Sequence, residues 1–447
     1  MRVFAVSLTV ILSFSTLTVS TAAHASDLKF IHATVYTSPD RPPIHDAAIL
    51  IHDSKITAVG PTSSIKGPHL ARAVTVYDCS GMTITAGFWN SHVHILPPEF
   101  LQAEHTTAPA LTAQLQTMFT SWGFTTVFDI ASVLSNTNLI RSRIADGSVQ
   151  GPRILTVGEP FWGADGTPIY VKQYLADNHI VMPEVTSVPQ AIARVNQQIK
   201  DGADGIKIFA GSIEAQGVLL LQPDIAHAIV AEAHKHNRLV FSHPSSIKGV
   251  ELSLDSGADI LAHVSTDEGP WQPALIERMK AAQVSLIPTL TLFDVEATRG
   301  GASEQATQNL INLAVGQLHA FASAGGQILF GTDIGYIDHY DTAEEFTLMS
   351  RAGMTFPQIL ASVTTTPAQR FGYAAHSGRI AAGMDADLVV LSADPASDIT
   401  ALSKVAYTVR NGKLIFSSKP LASPIAQPLP RAANDPQPGS PPAPSDS

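Results

Sequence analysis

Eight short apolar runs, each followed by polar residues and most then by a stretch with helical spacing, constrain this chain more than any other feature. They lie at residues 87–94, 125–130, 153–158, 205–209, 239–243, 259–263, 284–288 and 327–333. Helix-like segments such as 188–201, 223–237, 249–256 and 305–324 fill the intervals. Runs of Val, Ile and Leu without alternation are the mark of parallel strands buried on both faces. Eight such units within 86–377 predict an α/β protein built on a (β/α)8 TIM barrel, which typically needs about 250 residues. The rival, a doubly wound open sheet, is disfavoured because no Gly-rich dinucleotide turn follows the first run.

The flanks have another texture. Short β-like stretches at 29–36, 47–52, 55–60 and 73–78 are separated by turn residues, and the pattern resumes at 387–391 and 405–416. Segments 26–85 and 378–417 are therefore expected to form one small discontinuous β-sandwich domain bracketing the barrel at 86–377. Residues 1–25 read as a secretory signal peptide: Arg2 comes first, an uncharged apolar run spans 3–19, and Ala23-His24-Ala25 supplies the small-x-small cleavage pattern. The mature chain is thus expected to be exported, periplasmic or secreted, without membrane insertion after cleavage. Residues 418–447, with nine prolines from Pro420 onward, predict an extended Pro-rich tail with no core of its own.

Composition narrows the function classes. Hydrophobic residues make up 45% of the chain and charged residues 15%, which excludes wholesale disorder. A net charge of -11 argues against a nucleic-acid partner, which demands a basic face. A single cysteine, Cys79, excludes an internal disulfide framework and any CxxC metal motif. The 17 histidines remain as the donors to follow.

His92 and His94 stand one residue apart at the end of the first run, so a strand would point both side chains the same way. The spacing alone is weak, since about 0.6 such pairs are expected by chance in this chain. A second pair, His234 and His236, closes a helix-like stretch before Asn237 and reads as a solvated helix end. What distinguishes His92 and His94 is company: Lys207, His243, His263 and Asp333 end four other runs. In a barrel all strand C-termini face one mouth. Singly, each has an ordinary reading: hydrogen-bonded core histidines, a helix N-cap aspartate, a snorkelling lysine. Together the six predict a metal site. Lys207, between Ile206 and Ile208, is costly to bury as an ammonium; either it pairs with an acid such as Asp333, or as a neutral amine it is carbamylated by carbon dioxide.

The stretches TAGFWNSHVH, GADGIKIFAGS, ILFGTD, TTTPAQRFG and RIAAGMDADLVVLSADP, with the interval from His243 to His263, resemble the amidohydrolase superfamily, in its imidazolonepropionase-like and prolidase-like branch. The likeness runs from about residue 60 to 412. It implies a binuclear centre: His92, His94 and Asp333 on one divalent ion, His243 and His263 on the other, with carbamylated Lys207 and a hydroxide bridging them. Zinc is the default ion for such donors. Asp333 would be the catalytic base, taking the proton of the hydroxide and passing it to the leaving group. The implied substrate is a small-molecule amide, first a dipeptide or N-acyl amino acid, second another cyclic or aryl amide. A non-catalytic metal-retaining binding protein is the alternative of a different class. Trp162, Tyr170, Trp271, Phe293, Tyr336 and His339 are the loop candidates for the substrate pocket. The branch often shows His-Ala-His-Gly where this chain has His243-Pro244-Ser245-Ser246, and glycine where it has Val264; the ligand set is untouched by either change. Relatives often form homo-oligomers, a partner state the resemblance allows.

Overall fold

The apolar runs become strands. A computed structural model describes residues 27–66 and 74–418; residues 1–25, read above as a signal peptide, and residues 419–447 lie outside them. The eight strands are Phe88–Val93, Phe124–Asp129, Arg153–Thr156, Gly205–Phe209, Leu239–His243, Ile260–Ala262, Ser285–Ile287 and Gln327–Ile328. The first three pair in chain order as one parallel sheet and the last five, again in order, as another. Backbone hydrogen bonds cross both seams. Phe161 N–H donates to the Lys207 carbonyl at 2.8 Å and Phe209 N–H to the Phe161 carbonyl at 3.0 Å; opposite, Ser91 N–H donates to the Phe330 carbonyl at 2.8 Å.

The helices start and stop where local chemistry directs. Ser246 caps Ile247–Ser256 by accepting from Gly249 N–H, and Gly257 ends that helix at φ 85°, the left-handed turn that glycine adopts most cheaply. Ser303 likewise caps Glu304–Ser323. Val188–Lys200 buries Ala191, Val195 and Gln198 against the strands. Some elements escaped the periodicity. The helix Ile169–Asp177 and the hairpin Gly211–Glu214 with Gly217–Leu220 are short and mixed in polarity, so neither repeats an apolar spacing for long enough to register.

Strands from the two flanks share one eight-stranded sheet. Its order is Lys413–Ser417, Val405–Arg410, Leu388–Leu391, Thr83–Ala86, Asp27–Val35, Ile44–His52, Lys55–Pro61, with Val74–Asp78 also paired to Asp27–Val35. The join is antiparallel, from Leu388 opposite Ala86 to Leu391 opposite Thr83. Phe30, Ile49, Ile84, Leu388 and Val390 pack in its core. Gly87 alone separates this sheet from the first parallel strand; a Cβ there would sit 2.2 Å from Thr125 Oγ1, so only glycine fits the crossing. The chain is therefore α/β with mixed sheets. No helix among the described residues is long and apolar enough to cross a membrane.

Candidate metal centre

Asp333 stands where the two histidines of the first strand converge. Its Oδ1 is 2.8 Å from His94 Nε2 and 3.0 Å from His92 Nε2, and the two nitrogens are 3.3 Å apart. All three residues are buried, with their ligand atoms within 4.8 Å of one another. His263 Nε2 lies 3.9 Å from the other carboxylate oxygen. The His263 ring is 4.6 Å from that of His92 and 4.7 Å from that of His243, centroid to centroid. Phe209 stacks on His243 at 4.5 Å, and Lys207 Nζ lies 5.6 Å from the Phe209 ring. All six expected ligands line one cavity of about 290 Å³.

Unusual backbone aims these side chains. His263 and Asp333 have φ of 80° and 64°, a region few non-glycine residues occupy. Gly335, at φ 101°, passes so close to the His94 carbonyl that a Cβ would lie 1.9 Å from its oxygen. The outer nitrogens are held: His94 Nδ1 donates to the Ala131 carbonyl at 3.0 Å, and His263 Nδ1 lies 2.6 Å from Thr289 Oγ1. Both rings thereby turn Nε2 inward, as metal-ligating imidazoles do. Asp333 Oδ1 is buried without a hydrogen-bond partner, although two Nε2 atoms face it. A carboxylate oxygen and two imidazole nitrogens with lone pairs aimed at one point fit a divalent cation.

Burial dominates the electrostatics. It drives His92 down to about 4 against the opposing pull of Asp333, and His243 and His263 well below the ordinary histidine value. Lys207 falls to about 7 for the same reason, again opposed by Asp333. For Asp333 burial works upward, but His92, with His94 and His263, outweighs it and holds the carboxylate ionised. The neutral imidazoles and the anionic aspartate are the forms that bind metal.

The second histidine pair is a solvated helix end. His234 pairs with Asp259 at 2.8 Å and His236 with Asn196 at 2.7 Å, both on the exposed surface at the end of the helix Pro223–Lys235. Of the expected pocket residues, Trp162, Tyr170, Phe293 and Tyr336 line the cavity. Trp271 and His339 do not. The Trp271 indole is buried elsewhere, donating to Ser265 Oγ at 2.9 Å, and its backbone N–H donates to Gln317 at 2.6 Å; His339 is exposed. The cavity also takes Leu175, Met182, Ile213, Ser245, Leu292 and Glu296. Glu296 is three residues past Phe293 on the helix Leu290–Arg299, so helical spacing could have placed both on one face.

The amidohydrolase family matches residues 83–415. Ochratoxinase of Aspergillus niger is 24% identical over 424 aligned positions, covering 86% of each chain. Among solved structures, a Xaa-Pro dipeptidase with bound methionine in its active site superposes with a TM-score of 0.74 at 22% identity, over 88% of this chain and all of that one. The structure of A. niger ochratoxinase gives 0.71 at 20% identity, over 88% of this chain and 96% of that one. Molinate hydrolase gives 0.71 at 19% identity, over 92% and 99%. With the family match spanning most of the described fold and the His–His–Asp group at its strand ends, the chain belongs to the amidohydrolase family, as a metal-binding hydrolase of carbon–nitrogen bonds.

Proposed function

We propose that the chain is an exported hydrolase that cleaves the amide bond of a small molecule bearing a bulky apolar group, with a dipeptide or N-acyl amino acid as the first substrate class. The observation that carries this reading is the convergence of His92, His94 and Asp333 in a cavity walled by Trp162, Tyr170, Phe209, Phe293 and Tyr336. The same aromatic wall, with the ochratoxinase relative, favours an aryl amide as the second class. The hydrogen bonds across both seams support a closed (β/α)8 barrel over 86–377. The sheet shared by both flanks supports a discontinuous β-sandwich domain of 26–85 and 378–417. The composition of 1–25 supports export to the periplasm or beyond.

His92, His94 and Asp333 would hold one divalent ion and His243 and His263 a second, with zinc the ion this donor set suits. Bound there, such ions supply Lewis acidity and a water acidified to near neutrality. Lys207 is buried in a form that favours the free amine. Its nitrogen can add to carbon dioxide, forming an N–C bond and losing one proton, and so turn a misplaced cation into an anionic ligand. Asp333 accepts the proton of the attacking water and returns it to the departing nitrogen. The apolar wall holds the acyl or aryl group and keeps bulk water off the reacting carbonyl.

Two measurements test the reading. The purified enzyme should carry about two divalent ions per chain and hydrolyse members of a panel of N-acyl amino acids, dipeptides and aryl amides. Asp333→Asn should lower kcat by at least about 100-fold while leaving the thermal midpoint near that of the parent. A metal-loaded protein that hydrolyses none of the panel would instead be a metal-retaining binding protein.

A further inference from the structure

The large hydrophobic side chains exposed among the described residues are Ile169, Val181, Ile213, Val218 and Leu219, with Val181 at 85% exposure. Single exposed hydrophobics scattered over a surface are ordinary. These are not scattered: all fall between residues 169 and 219, in the two segments that frame the cavity. Ile169 opens the helix whose next residues, Tyr170 and Val171, line the cavity, and it stands one turn before Lys172. Ile213 lines the cavity while 43% exposed, so it belongs to both the wall and the surface. Val218 stands opposite it in the hairpin register, and directly paired residues share one face of a sheet. An ion pair, Lys172 Nζ to Glu214 Oε2 at 2.8 Å, clasps the helix Ile169–Asp177 to the hairpin. The two elements form one lip, apolar and continuous with the cavity wall.

We infer that this lip is the outer half of the substrate site, and that the substrate is an amide with an elongated apolar chain. Its scissile bond lies at the His92–His94–Asp333 group, and the far end of the chain rests on Ile169, Ile213 and Val218. The inference rests on the hydrolase reading above and extends it to a substrate class. A second copy of the chain is the weaker occupant. A stable dimer buries about 800 Å² on each partner, and five partly exposed side chains offer roughly half of that.

The test uses the full-length, zinc-loaded enzyme and a straight-chain N-acyl amino acid series from acetyl to decanoyl. The expected kcat/KM rises with each methylene, by up to about fourfold per step for full burial, until the chain passes the lip. Val218→Ser should lower the decanoyl-to-acetyl ratio by about threefold. That ratio does not depend on the fraction of folded enzyme, so a poorly folding variant still reports. Calorimetric Kd values for the same series separate binding at the lip from turnover at the metal centre. Turnover without chain-length dependence, or a ratio unchanged in V218S, overturns the lip and leaves the hydrolase reading intact. Chain-length-dependent binding without turnover of any member overturns the hydrolase reading and leaves the lip.

Discussion

His263 Nδ1 donates to Thr289 Oγ1 at 2.6 Å, because the Thr289 hydroxyl spends its own proton on the Pro288 carbonyl at 2.8 Å. The threonine is therefore an acceptor toward the histidine, and His263 must present a bare Nε2 to the cavity. Thr289 is held for this task at φ 46°, a costly conformation for a β-branched residue. Thr289→Val keeps the shape and removes the acceptor; it should weaken metal affinity about 10- to 100-fold. Thr289→Ser keeps the hydroxyl and should stay near the parent. Competition against a chelator with a known affinity for zinc measures both.

Behind Thr289 lies a buried acid. Glu345 accepts from Leu290 N–H at 2.9 Å, Thr291 N–H at 2.8 Å and the Thr291 hydroxyl at 2.9 Å, and so fixes the start of the helix that follows. Burial nevertheless pushes its carboxyl up to about 7. In the unfolded chain a glutamate titrates near 4.3, so between about pH 4.5 and 7 the native state holds a proton that the unfolded state has lost. Stability contributed by Glu345 therefore falls as pH rises through that window and levels off above it. Glu345→Gln cannot titrate. Urea unfolding of both proteins should show the variant gaining on the parent from pH 5 to 7, by about 2 kcal/mol in total.

These relationships mark how far the chain could be read without its structure. The eight apolar runs announced the strands, and period-two spacing with strand-end placement brought His92, His94, Lys207, His243, His263 and Asp333 to one cavity. Their legibility is physical: an ionisable side chain buried in a strand needs a partner or a metal, and these six stand in or just past strands that lead to one cavity. Thr289 and Glu345 were illegible because their roles depend on a left-handed backbone angle and on packing between residues 54 apart. Trp271 failed as a pocket residue because Gln317, from a distant helix, claims its backbone and turns the indole to Ser265. The Thr83–Ala86 strand was too short to show a period.

Gly335 tests whether the close backbone approach at the metal centre is required. Both Gly335 and Gly383 have positive φ, 101° and 88°. Around Gly383 an added Cβ meets nothing within 4 Å, whereas at Gly335 it would meet the His94 carbonyl oxygen at 1.9 Å. Gly383→Ala should cost only backbone strain, about 1–2 kcal/mol, and retain its metal. Gly335→Ala should displace His94 and lose metal at chelator concentrations that spare the parent. Equal metal retention by the two variants would show that the His94 loop yields without consequence.

Lys207 stands among the ligand candidates as a buried amine. Its ammonium is disfavoured by burial, with Asp333 as the opposing charge, and two chemistries are open to it: a carbamate that ligates metal, or an ion pair with Asp333. Lys207→Ala removes either and leaves a space at the cavity floor, so activity and the second metal ion should both be lost. The two roles then separate by what refills the space. A short carboxylate such as formate or acetate supplies the oxygen donors of a carbamate, so millimolar amounts should restore part of the metal content and part of the hydrolysis. Methylammonium supplies the cation of an ion pair and should restore neither. Rescue by the amine in place of the acid would assign Lys207 to charge pairing with Asp333. Metal content read alongside hydrolysis keeps the outcome decisive, because a carboxylate that refills the site must raise both together.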